Sequence, residues 1–404
     1  MADSQFHSLR NSGKWKEKSG KRKVEREKWK EESKKVKEME KRLLNKALRV
    51  VMGVSLFHLF TFSPLPARAD ESIDLKALYQ QIDEAISLSP QYVAERERQI
   101  TAYRDSLQTE KDADKSILLA EKLFQLYEPY RNDSALYFVE YCISLADSLH
   151  RADLTGRFRS LLAYQCSRTD KHAESLEQLR LVNKSALDKR GLVDYYHAWM
   201  HVCGEIGLYT QRETVRQRAF KQQDLYRDSV LMVAEEGSEE WYHLEVDILS
   251  ARKSFQDALA ISDQWLQNVT DGTHESAYAA FYRSMIYDRL NNHDQVCYWL
   301  GKSALDDIKC AVMNQASLLF LAEHLANDGD TDRAQRYMEF AKACNLTFAP
   351  QLRNYQVNPV VNIVEKNCHE TLTRAYWAIM IAIGVIVLLL IALFVMCIKR
   401  KKQK

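Results

Sequence analysis

From about residue 156 onward, apolar positions recur at helical spacing and short polar turns interrupt them at regular intervals. The pattern predicts paired helices: Arg157–Ser167 with His172–Val182, Val193–Ile206 with Gln211–Tyr226, Glu239–Ala251 with Phe255–Gln267, Ser276–Leu290 with Asp294–Leu305, and Val312–Ala326 with Asp332–Ala343. A repeat of about 38 residues built from two helices is the signature of a solenoid, in which each pair buries one face against its neighbours and the core is linear. The turns carry suitable chemistry in Thr169-Asp170, Asn291-Asn292 and Asp328-Gly329-Asp330, and Thr210-Gln211-Arg212-Glu213 reads as a capping box.

Upstream, Asp74–Leu88 and Gln91–Leu107 read as two helices separated at Ser89-Pro90, because proline suits a first helical turn. Helices around Asp112–Tyr127 and Ser134–Leu149 follow, with Asn132-Asp133 supplying turn and capping chemistry between them. Only 6 prolines occur, none between Pro129 and Pro350, and no alternation of β-branched residues appears. The expected fold class is therefore all-α: a helical-hairpin solenoid followed by one transmembrane helix.

That last helix is Ala375–Ile398, 24 uncharged residues between Arg374 and Lys399. Its length of about 36 Å is enough to cross a hydrocarbon core of ~30 Å with some tilt. Tyr376 and Trp377 sit at one end, where amphipathic rings prefer the interface, and Lys399, Arg400, Lys401, Lys402 and Lys404 crowd the other. The positive-inside bias makes the lysine-rich end cytoplasmic and puts residues 70–374 outside. Val360–Arg374 enters the span without a helix breaker, which predicts one continuous rod that either couples the outer part to the bilayer or serves as a passive stalk. Ala378, Ala382 and Gly384 leave a weak small-residue side on the span.

Charge divides the chain further. Residues 1–49 carry 17 Lys/Arg against 8 Asp/Glu, whereas residues 70–398 carry 34 against 47. The acidic outer part argues against a nucleic-acid surface there. Residues 1–38 are low-complexity and basic, and the text changes at Met39 to a short basic region, an apolar stretch Val50–Phe62 and the small-residue site Ala67-Arg68-Ala69. Together these make a secretory signal peptide over 39–69. Met39 is the expected working start and residues 1–38 are expected to lie outside the translated chain, a cytoplasmic basic arm being the alternative. The remaining plan is a helical region at 70–155, the array at 156–348, a juxtamembrane segment at 349–374, the span at 375–398 and a basic tail at 399–404.

Catalytic signals are missing: no G-x-S-x-G, no H-E-x-x-H and no glycine-rich loop after a strand. Gly301-Lys302-Ser303 has the end of a phosphate loop but sits in helix, with Val296 where the earlier glycine belongs. The 8 cysteines include no C-x-x-C pair, and the seven outside the span fit buried thiols better than a disulfide framework, with Cys310–Cys344 the one pairing worth testing. No enzyme activity and no cofactor are expected. Four N-x-S/T sites, at Asn132, Asn183, Asn268 and Asn345, would matter only in a glycosylating host.

Val312–Ala343 resembles a tetratricopeptide (TPR) repeat: Leu318, Leu321, Ala322, Leu325, Gly329, Ala334, Met338 and Ala341 fall on that repeat's core positions. Phe255-Gln256-Asp257-Ala258-Leu259 looks like the second helix of another repeat, while Arg212 and Val296 depart from the small residue expected elsewhere. More narrowly, Ser303–Glu370 resembles a regulator-like group of bacterial single-pass membrane proteins with an extracytoplasmic TPR array. The resemblance implies an inner-membrane protein with residues 70–374 periplasmic and a protein or peptide partner. Members of the group often carry a cytoplasmic output part, whereas this sequence runs six residues past the span. The expected role is therefore sensor or adaptor for another membrane component, the alternatives being a passive envelope scaffold or a truncated transcriptional regulator. Oligomeric state is not legible.

In the TPR family the inner helix face lines a concave groove. The register places Asp194, His197 and His201 there, His197 and His201 sharing a face at i, i+4. Glu240, His243 and Asp247 follow from the next repeat, then Tyr278, Phe281 and Asp288. These are the candidate groove residues for a peptide, and the two histidines with carboxylates are a weaker candidate for zinc.

Overall fold

The computed structural model describes residues 73–348 and 354–402, all in one compact unit. The basic extension, the signal peptide and residues 349–353 of the juxtamembrane segment lie outside the described residues. Among the described residues there are fourteen α-helices and one 3₁₀ turn, Lys184–Ala186. In chain order they are α1 (Leu75–Thr109), α2 (Ala113–Tyr127), α3 (Asn132–Ser148), α4 (Ala152–Ser167), α5 (His172–Arg180), α6 (Lys189–Tyr209) and α7 (Glu213–Val233). The second half comprises α8 (Glu239–Ala251), α9 (Phe255–Asn268), α10 (His274–Arg289), α11 (His293–Lys309), α12 (Ala316–Asp328), α13 (Thr331–Phe348) and α14 (Asn354–Lys402).

Each helix from α2 to α13 packs on its hairpin partner, and the first helices of successive hairpins touch, as α4 on α6 and α8 on α10. All five expected pairs are present. The hairpin pattern starts earlier than residue 156, with α2 and α3 forming a pair of their own. Four of the six turns between paired helices put one residue in the left-handed region: Asp170 at φ 64°, Lys253 at 62°, Asn291 at 54° and Gly329 at 92°. Gly329 meets this at no steric cost, and asparagine or aspartate tolerates it through local hydrogen bonding.

Two local expectations fail for tertiary reasons. The Ser89-Pro90 break is absent: Pro90 lies inside the 35-residue α1. Proline removes one helical hydrogen bond, but both halves of α1 are held from outside. Leu78, Tyr79, Ile82 and Ala85 join the core of α11–α13, while Ile100 joins the core of α2–α4. The capping box at Thr210 is also absent. Arg212 is the cap residue of α7, and Thr210 instead accepts from the Arg212 amide at its hydroxyl and from the Arg216 guanidinium at its carbonyl. Asn132 is not a cap either; it is buried in the first turn of α3 and accepts from the Gln165 amide at 2.9 Å.

The expected linear core is also curled. α1 bridges the first and last hairpins, and the last hairpin folds back to the first. Cys344 and Phe348 of α13 lie in the same cluster as Phe124, Phe138 and Phe158. The Met313 amide donates to the Pro129 carbonyl at 2.8 Å, and Arg96 donates to the carbonyls of Leu126 and Cys310 at 2.6 Å. Gly301, the residue of the false phosphate loop, is a packing glycine: a Cβ there would come within 2.7 Å of a Leu78 methyl. Gly207 plays the same part between α6 and α7, where a Cβ would meet three ring atoms of Phe220 at 2.7–3.1 Å. Gly207→Val is expected to lower stability by about 1–3 kcal/mol through overpacking, because a ring yields less readily than a chain end. Urea unfolding checks it, and an unchanged midpoint would refute the close approach.

The described cysteines are free, Cys310 and Cys344 included. α14 is a single helix of 49 residues, about 74 Å long at ~1.5 Å per residue. Its N-terminal part docks on α12 and α13, where Val361 and Val364 are buried in the core. Farther on it is bare and apolar, with Leu388 exposed by 66 %. This helix is long and apolar enough to cross a membrane. The expected continuity of stalk and span holds.

Candidate functional site

The first helices of the hairpins point inward, so their i, i+4 residues face a common hollow. Two cavities of about 730 and 440 Å³ occupy it and share wall residues, among them Tyr164, His197, His243 and Tyr278. The hollow is thus lined by α4, α6, α8, α10 and α12, and Phe348 of α13 closes one side. Eight of the nine expected groove residues lie on these walls; Asp288 does not, being exposed near the end of α10.

Asp194 reaches the wall but is occupied. Its carboxylate accepts from Arg157 Nε at 2.9 Å, and Arg157 also donates to Glu121 at 2.7 Å. Burial pushes the Asp194 carboxyl up to about 6, with Arg157 pulling the other way. His197 and His201 both pack on Tyr164, with ring centroids 4.9 and 4.8 Å away. His201 Nδ1 lies 2.7 Å from the Ser167 hydroxyl. His197 faces His243 at 6.1 Å. The structure does not gather His197, His201 and Asp194 into a ligand set; the rings are parts of an aromatic wall.

That wall continues through His243, whose ring is 4.8 Å from Tyr282 and 5.9 Å from Tyr278. Burial holds the His243 imidazole down to about 3 and lowers His197 as well, so both rings are neutral. Trp265 of α9 supports the tyrosines from behind, 5.8 Å from each and itself 1 % exposed. Phe281 stacks on Phe320 of α12 at 6.2 Å. Asp247 is raised above the usual carboxylate range by burial.

The smaller cavity is acidic. Glu239, Glu240 and Glu275 stand together there, and Glu239 is pushed up to about 7 by its enclosed position and by Glu240. His274 is opposed by burial, but Asp307 at 2.8 Å outweighs that and raises it. Wall residues that register reasoning passed over include Tyr164 on α4, Arg168 at its C-cap, and Asn314, Ala316 and Phe320 around the start of α12. Tyr164 and Arg168 carry the same i, i+4 signal as His197 and His201, one hairpin earlier. Asn314 had no such signal, because the curl that brings it inward is tertiary.

A hollow with neutral imidazoles, tyrosine hydroxyls and a carboxylate end can bind by stacking and hydrogen bonding. No curated protein matches the chain. A family model described as the SusR N-terminal TPR domain matches residues 86–359, more than half of the chain and all of α2–α13. With its hairpins, its inward-facing wall and that match, the chain belongs to the SusR N-terminal TPR domain family.

Proposed function

We propose that this is a membrane-anchored extracytoplasmic TPR protein that binds a short segment of a protein partner in its central hollow, as sensor or adaptor for another membrane component. The observation that carries the reading is the continuity of α14. One helix is buried in the array core at Val361 and Val364 and bare and apolar beyond. A change in the array on binding would reach the bilayer through a rigid element rather than a loop. TPR repeats imply protein binding, and the acidic end at Glu239, Glu240 and Glu275 favours a cationic segment. In this reading residues 70–374 are periplasmic and the lysine-rich end of α14 cytoplasmic.

Exchanging Ala375–Ile398 for an unrelated apolar sequence of equal length tests the coupling. A sensor or adaptor loses its in-cell response while partner affinity stays within about twofold; a passive scaffold keeps both. Protease added to intact spheroplasts should degrade the array, and protection until lysis would reverse the orientation. A second reading is favoured by volume alone. Both cavities fall in the range of about 300–1,000 Å³ typical of small-molecule sites. Titrating the full chain with a cationic peptide and with small polar solutes, reading Trp265-region fluorescence, separates the two.

A further inference from the structure

Outside the hollow, at the far end of the last two hairpins, four chemistry-bearing side chains converge from two consecutive helices. His293 and Cys297 are four residues apart at the start of α11, and His324 and Asp328 are four apart at the end of α12. Each pair shares a helix face. α11 and α12 pack on each other, joined by a short loop, so the start of one lies beside the end of the other. Ligand atoms of His293, Cys297 and His324 all lie within 4.8 Å of one another. His293 Nε2 is 2.7 Å from Asp328 Oδ2 and 3.6 Å from the Cys297 sulfur. The rings of His293 and His324 are 5.2 Å apart.

We propose that His293, Cys297, His324 and Asp328 form a zinc site that clips α11 to α12. Two imidazoles, one thiolate and one carboxylate are a borderline-soft set that suits zinc and excludes magnesium or calcium, which take oxygen ligands. Zn–N of ~2.0 Å and Zn–S of ~2.3 Å in a tetrahedron need donors roughly 3.5 Å apart, so the cluster closes by about 1 Å. His324 is half-buried, while Cys297 forms the base of the cluster at 0 % exposure.

Behind the cluster, Tyr79 of α1 is buried in the same core as Cys297. Carboxylates of Asp288 and Glu323 act on His324 and that of Asp294 on Cys297, giving the spot a negative potential. The facing cation is Arg333 of α13, whose guanidinium lies 5.3 Å over the Tyr79 ring. Asp288, the expected groove residue missing from the hollow, belongs here instead. On binding, the Cys297 S–H bond breaks, its proton leaves to water and a Zn–S bond forms. His293 gives its Nε2 proton to water, carries its remaining proton on Nδ1 and binds through Nε2, and Asp328, no longer accepting from Nε2, turns to ligate. Asn327, next to Asp328, accepts from Asn367 of α14 at 3.0 Å, so the ion would fix the hairpin end on which the membrane helix rests.

The test uses the full chain in detergent, stripped with chelator and titrated with cobalt(II). One equivalent is expected to bind with a thiolate-to-cobalt charge-transfer absorption, displaced one-for-one by zinc. Cys297→Ser and His324→Gln should each abolish that absorption, and Asp328→Asn should weaken binding by about 10- to 100-fold. Absence of the absorption in folded wild-type protein, or its survival in either abolishing variant, overturns the site. His324 is not buried, so His324→Gln remains informative if Cys297→Ser fails to fold.

Discussion

Arg157→Met is expected to remove about 3–5 kcal/mol of folding stability at neutral pH, the usual loss when one member of a buried ion network is deleted. Arg157 is 6 % exposed and ties three helices, donating from α4 to Glu121 of α2 and to Asp194 of α6. Glu121 keeps a second partner in Arg190 at 3.2 Å, but no second ion pair to Asp194 occurs among the described residues. The sign of the pH effect follows from Asp194. Its folded carboxyl is raised by burial to about 6, so the folded chain takes up the proton first, and the cost of keeping the group ionised fades as pH falls. Removing Arg157 raises that carboxyl further. The variant's deficit should therefore be largest at pH 7 and smaller at pH 5, read from urea midpoints at both. Adding Asp194→Asn to Arg157→Met should recover part of the loss, and equal deficits at both pH values would argue against the buried pair.

Acid should unfold the array through its neutral histidines. His243 is held at about 3 by burial, against 6.5 for a free imidazole, and His197 is lowered in the same way. Below about pH 6.5 the unfolded chain gains the proton and the folded chain does not, so stability falls with falling pH. The slope is up to about 1.4 kcal/mol per pH unit for His243. Glu239 and Asp194 oppose this, because carboxyls raised to about 7 and 6 favour the folded state as they protonate. That gain ends near pH 4, where the unfolded carboxyls protonate as well. A shallow dependence is expected down to about pH 4, then a steep loss until about pH 3, where the folded His243 also charges. Asp153, held low by Arg151, adds loss of the same sign at the acid end. The diagnostic is thus the difference between wild type and His243→Gln, which should flatten the fall by about 1.4 kcal/mol per pH unit below pH 5. Parallel curves would show that His243 takes its proton with the fold intact.

Much of the architecture was legible because it rests on local periodicity. The helix pairs from Arg157 to Ala343 matched α4–α13 closely, since each hairpin's apolar face and turn residues lie within one repeat. The inner-face register was legible for the same reason, and it placed His197, His243 and Tyr278 on one wall. What failed were single-residue signals read without their surroundings. Pro90 looked like a helix start and is a helix interior. Thr210 looked like a cap and accepts from Arg216 instead. Asp288 shared the inner register, yet at the end of its helix it stands by His324.

The amino-acid order by itself determined the helices, their pairing and the apolar rod, because hydrophobic spacing, capping and the absence of breakers act over a few residues. Only the tertiary structure decided that the row of hairpins curls, that α1 bridges its ends, and that α11 and α12 bring His293, Cys297, His324 and Asp328 together. Those outcomes depend on small rotations between successive hairpins, which add up along the array. The side-chain volumes that set each rotation, such as the bare Cα of Gly207 against Phe220, act between helices rather than along one.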